Sequence, residues 1–80
     1  MDRVIVTVKG AAAPHATEVE VPVTLPAREL APLLAGALGL AGGGAACRIE
    51  AFPPGRILDP EETLADAGVW DGAWLVLMPA

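Results

Sequence analysis

The stretch that most constrains the fold of this chain is residues 55–77, which read GRILDPEETLADAGVWDGAWLVL. Asp59-Pro60 predicts a turn, because proline fixes φ and the aspartate side chain can accept hydrogen bonds from the amides that follow. Asp71-Gly72 predicts a second tight turn, which leads into an apolar closing strand at residues 74–77. Between the turns the chain makes a short helical excursion, whose expected core anchors are Leu64 and Val69.

Two alternating segments predict a pair of strands at the start of the chain. Residues 3–9 place valine at positions 4, 6 and 8, and residues 17–23 place valine at positions 19, 21 and 23. A period of two is typical of strands with one buried face, and we expect these two to pair across a loop at residues 10–16. Pro22 has no amide hydrogen, so the second strand should lie at a sheet edge or stop pairing there.

A helix that covers the sheet is predicted next. We expect it to begin within residues 27–29, so that Pro32 lies near the first turn, where a missing amide is best tolerated. Gly39 should end it in a left-handed cap, with Leu40 as the apolar residue after the cap and residues 42–44 as a glycine connector. Its expected core stripe follows the spacing i, i+3, i+4 and i+8 and consists of Leu30, Leu33, Leu34 and Leu38.

A third strand is predicted at Cys47–Phe52, followed by a turn at residues 53–55. Two antiparallel strands, a helix, a strand and a final strand parallel to the first give an α+β fold. The predicted sheet is mixed, has four to five strands in the order 2-1-5-3, and is covered by one helix. Eighty residues can bury one compact core, so residues 1–80 are expected to form a single domain.

Four short motifs give the chain a resemblance to the second half of ubiquitin-like β-grasp domains: Gly55-Arg56-Ile57-Leu58, Thr63-Leu64, Gly68-Val69 and Asp71-Gly72. Within that superfamily the chain resembles the small bacterial YukD/EsaB-type proteins of type VII secretion and the cytosolic domain of their EccD-type membrane subunit. The resemblance implies a non-catalytic protein-binding module, an accessory or regulatory component that contacts secretion-machinery subunits. An auxiliary subunit of a multicomponent enzyme, such as a diiron monooxygenase, is the alternative.

Modifiers and sulfur carriers of the superfamily form a third class. They end in Gly-Gly, because only residues without side chains pass the narrow channel of an activating enzyme. This chain ends in Met78-Pro79-Ala80, so conjugation and sulfur transfer are not expected unless processing removes residues.

No catalytic or metal-binding constellation is predicted. Cys47 and His15 are the only nucleophile and base that could pair, but no third group orients the imidazole, and Cys47 is expected to face the core. One cysteine and one histidine do not supply a converging set of metal ligands. The carboxylates of Asp59, Glu61 and Glu62 could pair as catalytic groups, but they are expected to form a solvated helix start, where negative charge suits the amide dipoles. Residues 42–44 lack the lysine of a phosphate loop, so no cofactor is expected.

The negative charge of the chain favours proteins over nucleic acids and membranes as binding partners. A net charge of −5 repels phosphate backbones and anionic lipid surfaces, so neither nucleic acid nor a membrane is expected to bind. The uncharged run at residues 30–47 contains too few large apolar residues to enter a bilayer. A single cysteine and the absence of a signal-peptide pattern predict a cytoplasmic location.

The closing strand also predicts a docking surface. If Leu75 and Leu77 point into the core, alternation turns the intervening residues to the side of the sheet without the helix. We call the resulting set of Ile5, Trp74, Val76 and Met78 the apolar band, and we expect Glu18, Glu20, Arg48 and Glu50 to flank it. A tryptophan ringed by charge is typical of a binding hot spot, with Trp70 at its rim. The alternatives to a protein partner are a homodimer through the same surface and a monomer in which the Trp74 ring lies flat on its neighbours.

Overall fold

The computed structural model describes residues 2–10, 15–39, 47–52 and 55–79. Within them all strands join one mixed sheet in the order β2-β1-β5-β3-β4. β5 runs parallel to β1 and antiparallel to β3, so the predicted α+β class and strand order are confirmed, with β4 added outside β3. The elements are β1 Arg3–Gly10, β2 Ala16–Pro22, α1 Ala27–Leu38, β3 Cys47–Phe52, β4 Arg56–Ile57, α2 Leu64–Ala67 and β5 Trp74–Pro79.

β1 and β2 form the antiparallel pair that the valine alternation predicts. Val6 lies opposite Val19, and the register ends where Arg3 lies opposite Pro22. β2 occupies an edge of the sheet, so its proline removes no hydrogen bond from an inner ladder. Of the predicted loop between the strands, residues 11–14 lie outside the described part of the chain.

α1 covers the sheet, but the predicted leucine stripe is wrong at Leu33, which is 59% exposed. Leu30 and Leu34 are buried, and Leu38 packs against the core as expected. The buried side of the helix is centred away from Leu33, because alanines occupy its other flank. Their small side chains allow the helix to approach the sheet closely. These buried alanines are Ala27, Ala31 and Ala35.

The ends of α1 are stabilised in different ways. The helix begins at Ala27, and its first two amides donate to the carbonyls of Glu62 and Pro60, both at 2.9 Å. Pro32 is the sixth helical residue and therefore lies in the second turn, not the first. Pro32 has no amide hydrogen, so one helix carbonyl lacks its usual hydrogen bond. Because Pro32 is exposed, water can hydrate that carbonyl. Gly39 forms the expected left-handed cap at φ 69°, while Leu40 and residues 42–44 lie outside the described residues.

The polar excursion before β5 is organised by local hydrogen bonds. Thr63 and Asp66 form a capping box at the start of α2, and Leu64 and Val69 are buried as predicted. The Asp59-Pro60 turn is closed by the Glu62 amide, which donates to the Asp59 backbone carbonyl at 3.0 Å. The aspartate side chain was expected to accept such a bond, but here the backbone does so.

The entry to β5 is fixed by the backbone of Ile5. The Ile5 amide donates to Oδ1 of Asp71 at 2.8 Å, and the Ile5 carbonyl accepts from the Gly72 amide at 2.9 Å. Gly72 adopts φ 90°, a conformation that favours glycine. The Asp71 carboxylate thus takes the place of a strand carbonyl and sets where the parallel β1–β5 ladder begins.

Replacing Asp71 with Ala should destabilise the fold by about 1–2 kcal/mol, because the Ile5 amide loses its acceptor. Asp71→Asn, which keeps an oxygen at the same place, should lose less than half of that amount. Urea denaturation measures both values. Equal stability of the two variants would contradict this role for the side-chain oxygen.

An ion pair that the sequence reasoning missed joins β4 to the turn before α2. Arg56 donates through Nη1 to Oε1 of Glu62 at 2.7 Å and through Nη2 to Oε2. The pKa of the Glu62 carboxyl is lowered to about 2, chiefly by these hydrogen bonds from Arg56 and also by one from the Asp59 amide, against the opposing effect of desolvation. The acidic turn is therefore an anchored structural element as well as a solvated helix start.

Glu62 should make stability depend on pH in the acidic range. Its pKa is about 2 when folded, against an ordinary value of 4.5. The stabilisation is thus complete above about pH 4.5 and is lost as the pH falls towards 2. The difference in unfolding free energy between the wild type and Glu62→Gln should shrink across this window, as measured by urea titration at several pH values. Glu61→Gln controls for net charge, and a pH-independent difference for Glu62→Gln would contradict the assignment.

Candidate functional site

The candidate site is the side of the sheet opposite α1, which we call the open sheet face. Leu75 and Leu77 of β5 are buried under the helix, as predicted. Trp74 is 45% exposed, and Val76 and Met78 are half-buried on the other side. Strand alternation therefore places the apolar band where the sequence predicted it, with Ile5 exposed on β1.

Phe52 extends this surface and was missed by the sequence reasoning. It lies directly opposite Trp74 across the β3–β5 ladder and is 42% exposed. Side chains at such positions have Cβ atoms about 5 Å apart, so the two aromatic rings are neighbours. The sequence pattern does predict that Phe52 is exposed, because alternation turns it outwards when Ile49 and Ala51 face the core. Only the register of β3 against β5 identifies its neighbour.

Exposed apolar residues are concentrated on the open sheet face. Six large apolar side chains of the described residues are exposed, and four of them are on this face. Ile57 also lies on this face, because it pairs with Glu50, whose side chain is on the same side of the sheet. Trp70 is exposed in the turn before β5, and Leu33 is exposed on α1. The four on the face are Ile5, Phe52, Ile57 and Trp74.

The charges on the open sheet face balance one another. Val76 lies between Lys9 and Glu50, and Arg48 lies opposite Met78. With Arg3, Glu18 and Glu20, assigned to this side by the same alternation, the face carries three cations and three anions. The two other cations of the chain, Arg28 and Arg56, pair with glutamates elsewhere. The net charge of −5 therefore lies outside this face.

The structure does not bring His15 and Cys47 together. His15 precedes β2 and Cys47 begins β3, and β1 and β5 lie between those strands. Three strand spacings separate the two backbones by about 14 Å. The prediction that Cys47 faces the core concerns a side chain that the structure does not describe. Among the residues that the structure describes, no three His, Cys, Asp or Glu side chains are placed to hold a metal ion.

In the described part of the chain, neither helix has the length and apolar character needed to cross a membrane.

Solved structures show the same fold across most of the chain. Ubiquitin from Caldiarchaeum subterraneum is 23% identical with a TM-score of 0.74, and the alignment covers 98% of this chain and 94% of that one. The ubiquitin-like domain of Plasmodium falciparum Dsk2 is 23% identical with a TM-score of 0.69, covering 94% and 97%. A ubiquitin-like domain from tubulin-binding cofactor B is 19% identical with a TM-score of 0.71, covering 99% and 91%. At these identities the likeness establishes the fold.

No curated protein matches the chain in sequence. One protein family does match it, over residues 3–77, and that family is described as "WXG100 protein secretion system (Wss), protein YukD". The match spans both halves of the sheet and α1, and it agrees with the ubiquitin-like architecture of the solved structures. The chain is a ubiquitin-like β-grasp protein that belongs to the YukD family.

Proposed function

We propose that this chain is a non-catalytic adaptor of a WXG100-type, or type VII, secretion system, which binds a cytoplasmic protein subunit of the machinery. The family description supports the secretion context. The observation that carries the binding role is the open sheet face, where exposed aromatic residues from β3 and β5 are adjacent.

The apolar band has the composition of a binding hot spot. Trp74 begins the central strand of the sheet, because β5 lies between β1 and β3. Its neighbours across the strands are Phe52 on one side and Thr7 on the other. Large aromatic side chains contribute much of the energy of protein interfaces when a partner excludes water from them. A contiguous exposed apolar surface on a small domain is typical of such an interface.

The charge distribution favours a different protein over a second copy of this chain. Two copies each carry a net charge of −5 and repel one another at long range. The open sheet face itself is electrically balanced, so a partner does not have to be strongly basic to approach it. We therefore assign the face to a subunit of another kind, located in the cytoplasm.

The test is the double variant Trp74→Glu with Val76→Lys. It removes the centre of the apolar band, so it should stay folded by circular dichroism and bind the partner at least about thirtyfold more weakly. Affinity capture from the native cell identifies the partner, and titration with the purified partner measures the loss. We expect the captured proteins to be subunits of the secretion machinery.

The matched control is Leu33→Glu with Ala37→Lys, which places the same charges on the exposed side of α1 and should leave binding unchanged. Undiminished binding by the sheet variant would show that the docking site lies outside the open sheet face. Unfolding of the sheet variant would show that Trp74 belongs to the core. Capture of oxygenase subunits would favour an enzyme-auxiliary role, and a concentration-dependent dimer lost in the sheet variant would assign the face to self-association.

A further inference from the structure

The hydrogen bonds of β1 show which backbone groups of β2 are free. The Thr7 amide donates to the Ala73 carbonyl at 2.9 Å, and both backbone groups of Ile5 bond to residues 71 and 72. Alternate residues of a strand direct their amides and carbonyls to opposite edges. The odd-numbered residues of β1 therefore bond towards β5, and the even-numbered ones bond towards β2.

The register then fixes the outer edge of β2. The even-numbered β1 residues Val4 and Val6 lie opposite Val21 and Val19. The amide and carbonyl groups of these two β2 valines consequently point towards β1, which agrees with the hydrogen bond from the Val23 amide to the Asp2 carbonyl at 2.7 Å. The backbone groups of Glu18 and Glu20 point the opposite way, and among the described residues no strand lies beyond them.

The side chains along this edge favour an added strand that carries positive charge. Glu18 and Glu20 are exposed and lie on the same side of β2. A second copy of β2 would bring glutamates beside glutamates, which disfavours pairing of two copies through this edge. A strand with lysine or arginine at alternate positions would place opposite charges side by side, and the net charge of −5 would attract it.

The other side of the edge offers an apolar contact. Val19 is half-buried and packs against the core. The helix side of β2 is partly open at Val19, whereas Val21, on the same side, is buried. An added strand would place an apolar side chain beside Val19 between its two basic residues.

We propose that the free edge of β2 binds an extended partner segment of alternating basic and apolar residues, which joins the sheet as a sixth strand. Backbone hydrogen bonds to Glu18 and Glu20 supply the pairing, and their carboxylates select the basic side chains. The edge adjoins the open sheet face, since Glu18 lies opposite Thr7, the neighbour of Trp74. The proposal does not depend on the apolar band, and a partner could engage both surfaces.

The probe is the capped peptide acetyl-Lys-Val-Lys-Val-Lys-amide, added to ¹⁵N-labelled protein. The expected result is slower hydrogen exchange, by at least about tenfold, at the Glu18 and Glu20 amides, which face solvent in the free chain. Two further peptides carry backbone N-methyl groups on the lysines or on the valines. They keep the charge and side chains, but only one set of amides can face β2, so one of the two should lose binding.

The double variant Glu18→Gln with Glu20→Gln should bind the parent peptide roughly two- to thirtyfold more weakly, because two cross-strand charge pairs are lost. Glu29→Gln with Glu61→Gln removes the same charge elsewhere and should bind the peptide more tightly than that variant. Equal binding by both methylated peptides, equal weakening in both variants, or no protection at Glu18 and Glu20 would each overturn the proposal. Amide chemical-shift changes confined to Trp74 and Val76 would also overturn it and assign the peptide to the apolar band.

Discussion

The structure depends on how β5 enters the sheet between β1 and β3. Ile5 accepts one hydrogen bond from the Gly72 amide and donates another to the Asp71 carboxylate, so the chain can begin the parallel ladder at one register only. A shift of one residue would turn Leu75 and Leu77 to solvent and bury Trp74. The same two hydrogen bonds that stabilise the fold thus decide which side chains the open sheet face presents.

Much of this arrangement could be predicted from the sequence, because a period of two assigns each strand residue to a face. The valines of β1 and β2 and the leucines of β5 are regular enough to place the apolar band correctly. Leu33 could not be placed by counting leucines alone, since buried alanines shift the stripe of α1. The pairing of Phe52 with Trp74 and the Arg56–Glu62 ion pair join separate segments, so only the three-dimensional register and turn geometry reveal them.

The surface divides into two regions with different electrostatics. On the open sheet face cations and anions balance around exposed apolar side chains, whereas the helices and turns carry the acidic excess. Part of that excess is structural, as the Glu62 carboxylate binds Arg56 and the neighbouring turn supplies carbonyls to the first amides of α1. In the proposed function, this division would orient a partner by repulsion from one side and leave the other side free to bind it.

The central claim is that Trp74 becomes buried when the chain binds its partner, and ¹⁹F NMR tests it most directly. The chain has two tryptophans, so Trp70→Phe with 5-fluorotryptophan incorporation leaves one reporter, at Trp74. In the free chain its resonance should show the H₂O/D₂O isotope shift of an exposed ring. On titration with the purified partner the resonance should move and that isotope shift should disappear. An unchanged, solvent-exposed Trp74 resonance in a saturated complex would contradict the account.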